Sequence, residues 1–432
     1  MKSYVVLGTV GSLGDLHPFI ALGLALERLG VRVLLTAAAE YEAKVRRTGL
    51  RFQAVRPSFA DMQAAVGMDR SALTRAALAR SDFLLERLIM PHLIESYADA
   101  SRAIQGADMV LTSSLAFGMR LAAEHERVAW LGIVLQPSLF FSAYDPPEIP
   151  RAPALAALLR LAGPSVTRRA FGIVRHALRR QLRPVADLRV RLKLGPTRGH
   201  PLFEGQFSIA GALALYSPLI GALQADFPQP SCIAGFAGFD SEDGAASTLD
   251  AALAHFLECG PPPVVFTLGS LIVNSPGNFF WESAAAAQRV GRRAVLIVGE
   301  DTAAYSQLTS DAVHVCRYAP HSLVFPRSHL IVHQGGIGTL AQALRSGRPQ
   351  LIVPFYGDQA DNAARAARLG VALAMSPRRY RASTASRRLE TLNGPSYRRR
   401  ASEVGSQLAG EDGAVAGAAF VLRRLCALRG CR

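Results

Sequence analysis

Lysine is almost missing: Lys2, Lys44 and Lys193 are the only three in 432 residues. The formal net charge is nevertheless +15, so arginine carries nearly all of it. A charge of that size raises nucleic acid or an anionic membrane as partners. The arginines are spread along the whole chain, so composition alone favours neither, and no nucleic-acid partner is expected. The five cysteines, Cys232, Cys259, Cys316, Cys426 and Cys431, form no CxxC pair and show no metal-ligand spacing. Their odd number leaves one unpaired, and free thiols in a reducing cytoplasm are the plain expectation. Long apolar runs are lacking too. The most apolar stretch, Ser208 to Ala225, is broken by Gly211, Ser217, Pro218 and Gly221, which is marginal for a bilayer span and reads better as a buried strand followed by a loop. The amino terminus does not show a basic start, an apolar stretch and a small-residue cleavage site in that order, so no signal peptide is read.

What is present suits a globular protein of more than one domain. Half of the residues are hydrophobic, and the length exceeds what one core usually serves. Tyr4 to Val10, Val31 to Leu35 and Phe52 to Val55 read as strands separated by helical patterns over Pro18–Leu29 and Tyr41–Arg47, with Gly30 and Gly49 at helix ends. That βαβαβ order implies a parallel sheet covered by helices. The alternation restarts at Val264–Leu268 and runs through Ala294–Val298, Val313–Arg317, Leu330–Val332 and Gln350–Val353. The expected organisation is an amino-terminal domain over 1–225, a Pro/Gly-rich linker over 226–244, a second domain over 245–412 and a terminal helix over 413–432. Two doubly wound Rossmann-like sheets then face a cleft at the carboxyl ends of their strands. Between Arg151 and Arg198 the pattern is helical and basic, with apolar residues between Arg168, Arg169, Arg175, Arg179, Arg180, Arg183, Arg189 and Arg191. It reads as an amphipathic helix pair with a solvated face, or as a peripheral contact with anionic lipid.

The strongest chemical signal is His333-Gln334-Gly335-Gly336-Ile337-Gly338-Thr339, directly after the strand Leu330–Val332 and opening a helix. Glycines let the backbone approach a ligand, and free N–H groups at a helix start form a diphosphate site. An imidazole at the strand end adds a donor for the same phosphates. Pro354-Phe355-Tyr356-Gly357-Asp358-Gln359, then Asp361-Asn362, again follow a strand and open a helix. Carboxylates beside carboxamides suit the hydroxyls of a sugar. No Asp-x-Asp pair lies near the diphosphate turn, so neither a metal nor a cofactor is expected.

These residues resemble the signature of the UDP-glycosyltransferase superfamily, nucleotide-sugar enzymes with the GT-B fold, and most of all its bacterial branch of rhamnosyltransferases and sterol glucosyltransferases. The likeness extends to Gly11-Ser12-Leu13-Gly14-Asp15, Phe266-Thr267-Leu268-Gly269-Ser270 and Tyr318-Ala319-Pro320. It implies that His333, Gly335, Gly336, Gly338 and Thr339 hold the donor diphosphate, with Ser270 reaching it from the next strand. Tyr318 then stands where a nucleobase-stacking tryptophan is common, and Asp358 and Gln359 hold the sugar. Ala341 and Gln342 replace the ribose-binding glutamate of plant members, which leaves uridine and thymidine both open. Where plant members use an amino-terminal histidine as base, this chain offers Asp15, with His17 as the alternative; Asp15 also reads as a simple helix-cap carboxylate.

The expected activity is inverting transfer of a sugar from a UDP- or dTDP-sugar to a hydroxyl of an apolar small molecule or lipid. Phe140, Phe141 and Tyr144 serve as its apolar wall or as core. A dTDP-rhamnose-dependent transfer to a hydroxy-fatty-acid lipid, a nucleotide-sugar epimerase of the same fold and a basic nucleic-acid binder are the alternatives. An NAD site is disfavoured, because Gly8, Gly11 and Gly14 are spaced GxxGxxG and no acidic residue ends the second strand. His314, His321 and His329 read as structural.

Overall fold

The computed structural model describes residues 2–79, 82–149, 152–197, 199–241, 247–270 and 272–430. Arg151 and Arg198, the ends of the basic stretch, lie outside the described residues, as do 242–244 of the expected linker and Cys431. The chain forms two compact units, one of residues 1–239 with 412–432 and one of residues 240–411.

The first unit is built on a seven-stranded parallel sheet. Its strands are β1 (Tyr4–Gly8), β2 (Arg32–Ala37), β3 (Arg51–Ala54), β4 (Met109–Ser113), β5 (Ala129–Val134), β6 (Ala212–Ala214) and β7 (Ser231–Ile233), in the order β3-β2-β1-β4-β5-β6-β7. The second unit holds six parallel strands, β8 (Val264–Thr267), β9 (Ala294–Ile297), β10 (Val313–Cys316), β11 (Leu330–His333), β12 (Gln350–Ile352) and β13 (Ala372–Ala374), ordered β10-β9-β8-β11-β12-β13. Strands covered by helices on both faces are apolar throughout. Val5, Val6 and Leu7 of β1 and Val264, Val265 and Phe266 of β8 are accordingly all fully buried.

In each sheet the strand order reverses beside the unit's first strand, between β1 and β4 and between β8 and β11. Doubly wound sheets bind ligands at the carboxyl ends of the strands at such a point. The topology thus puts the turn after β1 and the first turn of the helix Leu13–Arg28, with Asp15, at the reversal of the first sheet. It puts the loop after β8, with Ser270, and the end of β11, at His333, at that of the second.

Two expectations change. Ser231–Ile233, inside the stretch expected as linker, is an edge strand, and Asp226 in the same stretch accepts bonds from Ser142 Oγ (2.6 Å) and the Ala143 N–H (2.7 Å). The basic stretch holds three helices, Pro153–Ala162, Pro164–Leu178 and Arg183–Arg191, in place of a pair. The last helix, Gly413–Arg429, returns to the first unit and packs on the helix Leu13–Arg28. The packing is close: a Cβ on Gly417 would lie 3.2–3.3 Å from Leu215, Leu213 and Leu22. Among the described residues no helix is long and apolar enough to cross a membrane.

Candidate active site

In the second unit, β11 ends at His333 and the chain turns through Gly335, whose φ of +87° only glycine adopts without strain. A Cβ there would also lie 2.7 Å from Ile352. The helix Ile337–Arg345 follows, with Gly336 as its N-cap and, among the described residues, no side chain bonded to its first amides. A Cβ at Gly338 would meet nothing within 4 Å, so the turn opens on free space. Unbonded amides at the positive end of a helix form a site for an anion such as a diphosphate.

His333 sits deeper than the sequence suggests. It is fully buried; Nδ1 accepts the Gly335 N–H (3.1 Å) and Nε2 bonds Gln350 Oε1 (2.9 Å). Because Nδ1 must offer its lone pair to an amide, the proton is on Nε2 and the ring is neutral. Burial pulls its pKa down to about 4, only partly opposed by Gln350. Both ring nitrogens are therefore engaged inside the unit. In this arrangement the ring holds the Gly335 turn in shape.

The neighbouring loops close around this turn. Gln334 is buried, and its Nε2 reaches Thr339 Oγ1 at 3.4 Å. It packs so near the end of β8 that a Cβ on Gly269 would come within 2.3 Å of it. Its Oε1 has no hydrogen-bond partner among the described residues. Ser270, just beyond, is half-buried. Asp358 is the N-cap residue of the helix Gln359–Arg368. Its Oδ2 accepts from Asn362 Nδ2 (2.7 Å), which also donates to the Gly335 carbonyl (3.0 Å). The fully buried Asn362 thus ties the Asp358 carboxylate to the Gly335 turn, a role the sequence does not announce. Its position four residues after Asp358 on one helix face was the available signal.

Gln359 is buried, and its Oε1 accepts the N–H groups of Phe355 (2.8 Å) and Tyr356 (3.3 Å). That oxygen shapes the loop, so a sugar contact from Gln359 falls to its amide nitrogen. Asp361, expected to face sugar hydroxyls, is 1% exposed and paired with Arg365 at 2.6 Å; it belongs to the packed side of the helix. Tyr318, after β10, is half-buried and its hydroxyl donates to Asp240 Oδ1 at 3.4 Å.

In the first unit, Ser12 caps the helix Leu13–Arg28. Asp15, its third residue, returns the bond in a capping box, its Oδ2 accepting from the Ser12 N–H (2.7 Å) and Oγ (3.2 Å). Gly11, at φ +145°, makes room: a Cβ there would lie 2.2 Å from Asp15 Oδ2. Burial nevertheless raises the Asp15 pKa to about 6, against the lowering effect of its Ser12 bonds. A carboxylate that titrates there is ionised at neutral pH and basic enough to take a proton. Capping and base chemistry are therefore compatible in one side chain. His17 Nε2 lies 3.1 Å from Lys44 Nζ. The ammonium has only donors, so that nitrogen's lone pair is occupied. The hydroxyls of Thr9 and Ser114, beyond the ends of β1 and β4, are buried with no hydrogen-bond partner among the described residues; short polar residues at strand ends give no sequence signal of this.

The three aromatics expected as acceptor wall separate. Phe140 is buried, stacked on Phe227 (3.7 Å between centroids) and Phe207 (5.6 Å), and so fills core. Phe141 is half-buried, left-handed at φ +50° and stacked on Phe203. Tyr144 is exposed beneath Arg168, which donates to its hydroxyl (3.2 Å).

Comparison with known proteins gives the family and the fold. Residues 284–418 match the family model described as the erythromycin biosynthesis protein CIII-like C-terminal domain. The O-mycaminosyltylonolide 6-deoxyallosyltransferase of Streptomyces fradiae is 30% identical over 424 residues, 95% of this chain and 94% of that one. A sterol 3-beta-glucosyltransferase of Arabidopsis thaliana is 28% identical over 82% of this chain, which spans 55% of its length. Among solved structures, a calicheamicin glycosyltransferase superposes with a TM-score of 0.71 at 16% identity, covering 98% of both chains. The glycosyltransferase VinC, solved with dTDP, gives 0.69 at 18%, covering 98% of this chain and 99% of that one. The chain belongs to the UDP-glycosyltransferase superfamily and is a glycosyltransferase of the GT-B fold that uses nucleotide sugars.

Proposed function

We propose that the chain transfers a hexose from a UDP- or dTDP-sugar to a hydroxyl of an apolar small molecule, with inversion at the anomeric carbon and without a metal ion. The observation that carries this is the uncapped helix start at Gly336–Thr339, preceded by the Gly335 carbonyl that Asn362 links to Asp358. One end of that arrangement suits a diphosphate and the other a sugar hydroxyl. As the glycosidic C–O bond breaks, its electron pair passes to the diphosphate, whose charge meets the helix amides in place of a cation. Asp15 takes the proton of the acceptor hydroxyl as its oxygen bonds to the anomeric carbon. Tyr318 faces the nucleobase, and Ser270 and Gln359 add contacts to diphosphate and sugar.

The relatives named for a macrolide and for sterols support an acceptor with a large apolar skeleton and one reactive hydroxyl. Phe141 and Tyr144 are the aromatic residues left to contact it. The test is nucleotide release from UDP-glucose, dTDP-rhamnose and related donors, with and without sterols, macrolide aglycones, terpenols, phenols and hydroxy-fatty acids. Nuclear magnetic resonance of the product then reads the anomeric configuration. Turnover only with free sugars or amino acids overturns the acceptor class, a retained configuration overturns inversion, and donor epimerisation without acceptor favours the epimerase reading.

A further inference from the structure

A helix on the surface of a globular protein needs one apolar face, turned inward. The helices Pro153–Ala162 and Pro164–Leu178 have two. Ala156, Leu159, Thr167 and Phe171 face inward and are buried. On the outer side, Leu155, Leu158 and Leu161 follow one another at three-residue steps, all exposed, with Leu161 at 86%. Val166 and Ile173 continue the pattern on the second helix, two turns apart, and Ile173 is 74% exposed. Exposed apolar side chains grouped in this way mark a contact surface.

The charge around the stripe has one sign. No Asp or Glu occurs between Glu148 and Asp187, whereas the same segment holds eight arginines. Arg160 is paired with Glu148 and Arg175 with Glu204. Arg169, Arg179 and Arg180 are exposed, and none has a carboxylate within ion-pair distance among the described residues. A second copy meeting this face through a twofold axis would bring like charges together. Nucleic acid would meet the arginines but gain nothing from the leucines. An apolar stripe flanked by arginines matches the boundary between acyl chains and anionic headgroups.

We propose that this face docks the enzyme on an anionic lipid surface, with Leu158, Leu161 and Ile173 entering the acyl boundary and Arg169, Arg179 and Arg180 on the headgroup phosphates. The docking is peripheral, it involves neither Asp15 nor the Gly335 turn, and it stands or falls independently of the proposed transfer reaction. The full chain is sedimented with phosphatidylcholine vesicles, alone or with roughly 30% phosphatidylglycerol. It should bind only the anionic vesicles and be released by about 0.5 M salt. Each headgroup arginine strengthens such binding about fivefold, so Arg169→Glu with Arg180→Glu should weaken it at least about 25-fold. Leu161→Ser with Ile173→Ser should weaken it about tenfold or more. All of these positions are exposed, so the variants should melt with the parent. Ile173→Trp supplies a second measurement, a blue shift of its fluorescence on adding anionic vesicles. Equal partition onto both vesicle types, or no shift at Ile173→Trp, refutes the proposal. So does a concentration-dependent dimer that Ile173→Ser abolishes, which would give the face to a second copy.

Discussion

Replacing Asp15 by Asn separates the capping role of this carboxylate from the base role proposed for it. Asn retains an oxygen that can accept the Ser12 N–H, now at 2.7 Å, so the capping box survives in part. What disappears is the charge. At a helix start an anion is worth about 0.3–1 kcal/mol, but burial works the other way here, raising the pKa from 3.8 to about 6. A carboxyl whose folded pKa is raised stabilises the fold fully below pH 3.8 and loses that contribution as pH climbs to about 6. The difference corresponds to at most about 3 kcal/mol, and nearer about 1–2 for a carboxylate still partly open to solvent. Asp15→Asn should therefore melt no lower than the parent at pH 8, and its relative advantage should vanish near pH 4. Catalysis should respond in the opposite sense. Without a proton acceptor, kcat should fall by about 10²–10⁴ while donor affinity stays nearly unchanged. The parent's rate should decline below pH 6 with the titration of Asp15, and the variant should lack that decline. A phenolic acceptor, partly ionised at raised pH, should suffer less than an aliphatic alcohol. Nucleotide release measured from pH 5 to 9 decides the matter: a variant keeping more than about a tenth of the parent's kcat, or still showing the acid limb, places the base elsewhere.

Other expectations follow from the second unit. His333→Ala removes the acceptor of the Gly335 N–H and the donor to Gln350, each a loss of about 1–3 kcal/mol in a buried setting; calorimetry should show nucleoside-diphosphate affinity lowered by about one to two decades. In the parent, the His333 ring resonances should not titrate between pH 5 and 8, since its pKa lies at about 4. Asn362→Asp places a second carboxylate against Asp358 and withdraws the bond to Gly335, so the donor KM should rise about tenfold, read from initial rates at saturating acceptor. Turnover should persist in EDTA, because helix amides meet the leaving diphosphate in the proposed mechanism; full loss that magnesium or manganese restores would contradict it.

The parts of the site that were legible in the sequence are those whose cause is local. The Gly335–Thr339 turn shows itself because strand, glycines and helix follow within ten residues. The Ser12 and Asp15 pairing lies within one helical turn. The environment of His333 is not readable in this way, because Gln350 is seventeen residues away and meets it only through the pairing of β11 with β12. Phe140 had two readings, wall or core, and the choice falls to Phe207 and Phe227, more than sixty residues further on. Asp361 misled because its carboxylate, read as polar and available, is matched by Arg365 on the same helix face. Among the strands, β4 and β5 are short, mostly apolar runs without alternation that periodicity does not distinguish from buried helix, and the three residues of β7 are hidden among prolines and glycines.

The return of the helix Gly413–Arg429 to the first unit makes the second unit, in connectivity, an insertion into the first. The chain passes from one unit to the other twice, near residues 239–240 and 411–412. Ala418 and Val421 on that helix are fully buried, and Gly417 lies against Leu22, Leu213 and Leu215. During synthesis the first unit therefore emerges before the helix that covers these leucines, and its core stays incomplete while the ribosome makes the whole second unit. The second unit, continuous in sequence, is free to fold as soon as it appears. Completion of the first-synthesised half thus waits on the helix Gly413–Arg429, and a ribosome that stops short of it releases a chain with an open apolar face and an already folded second unit.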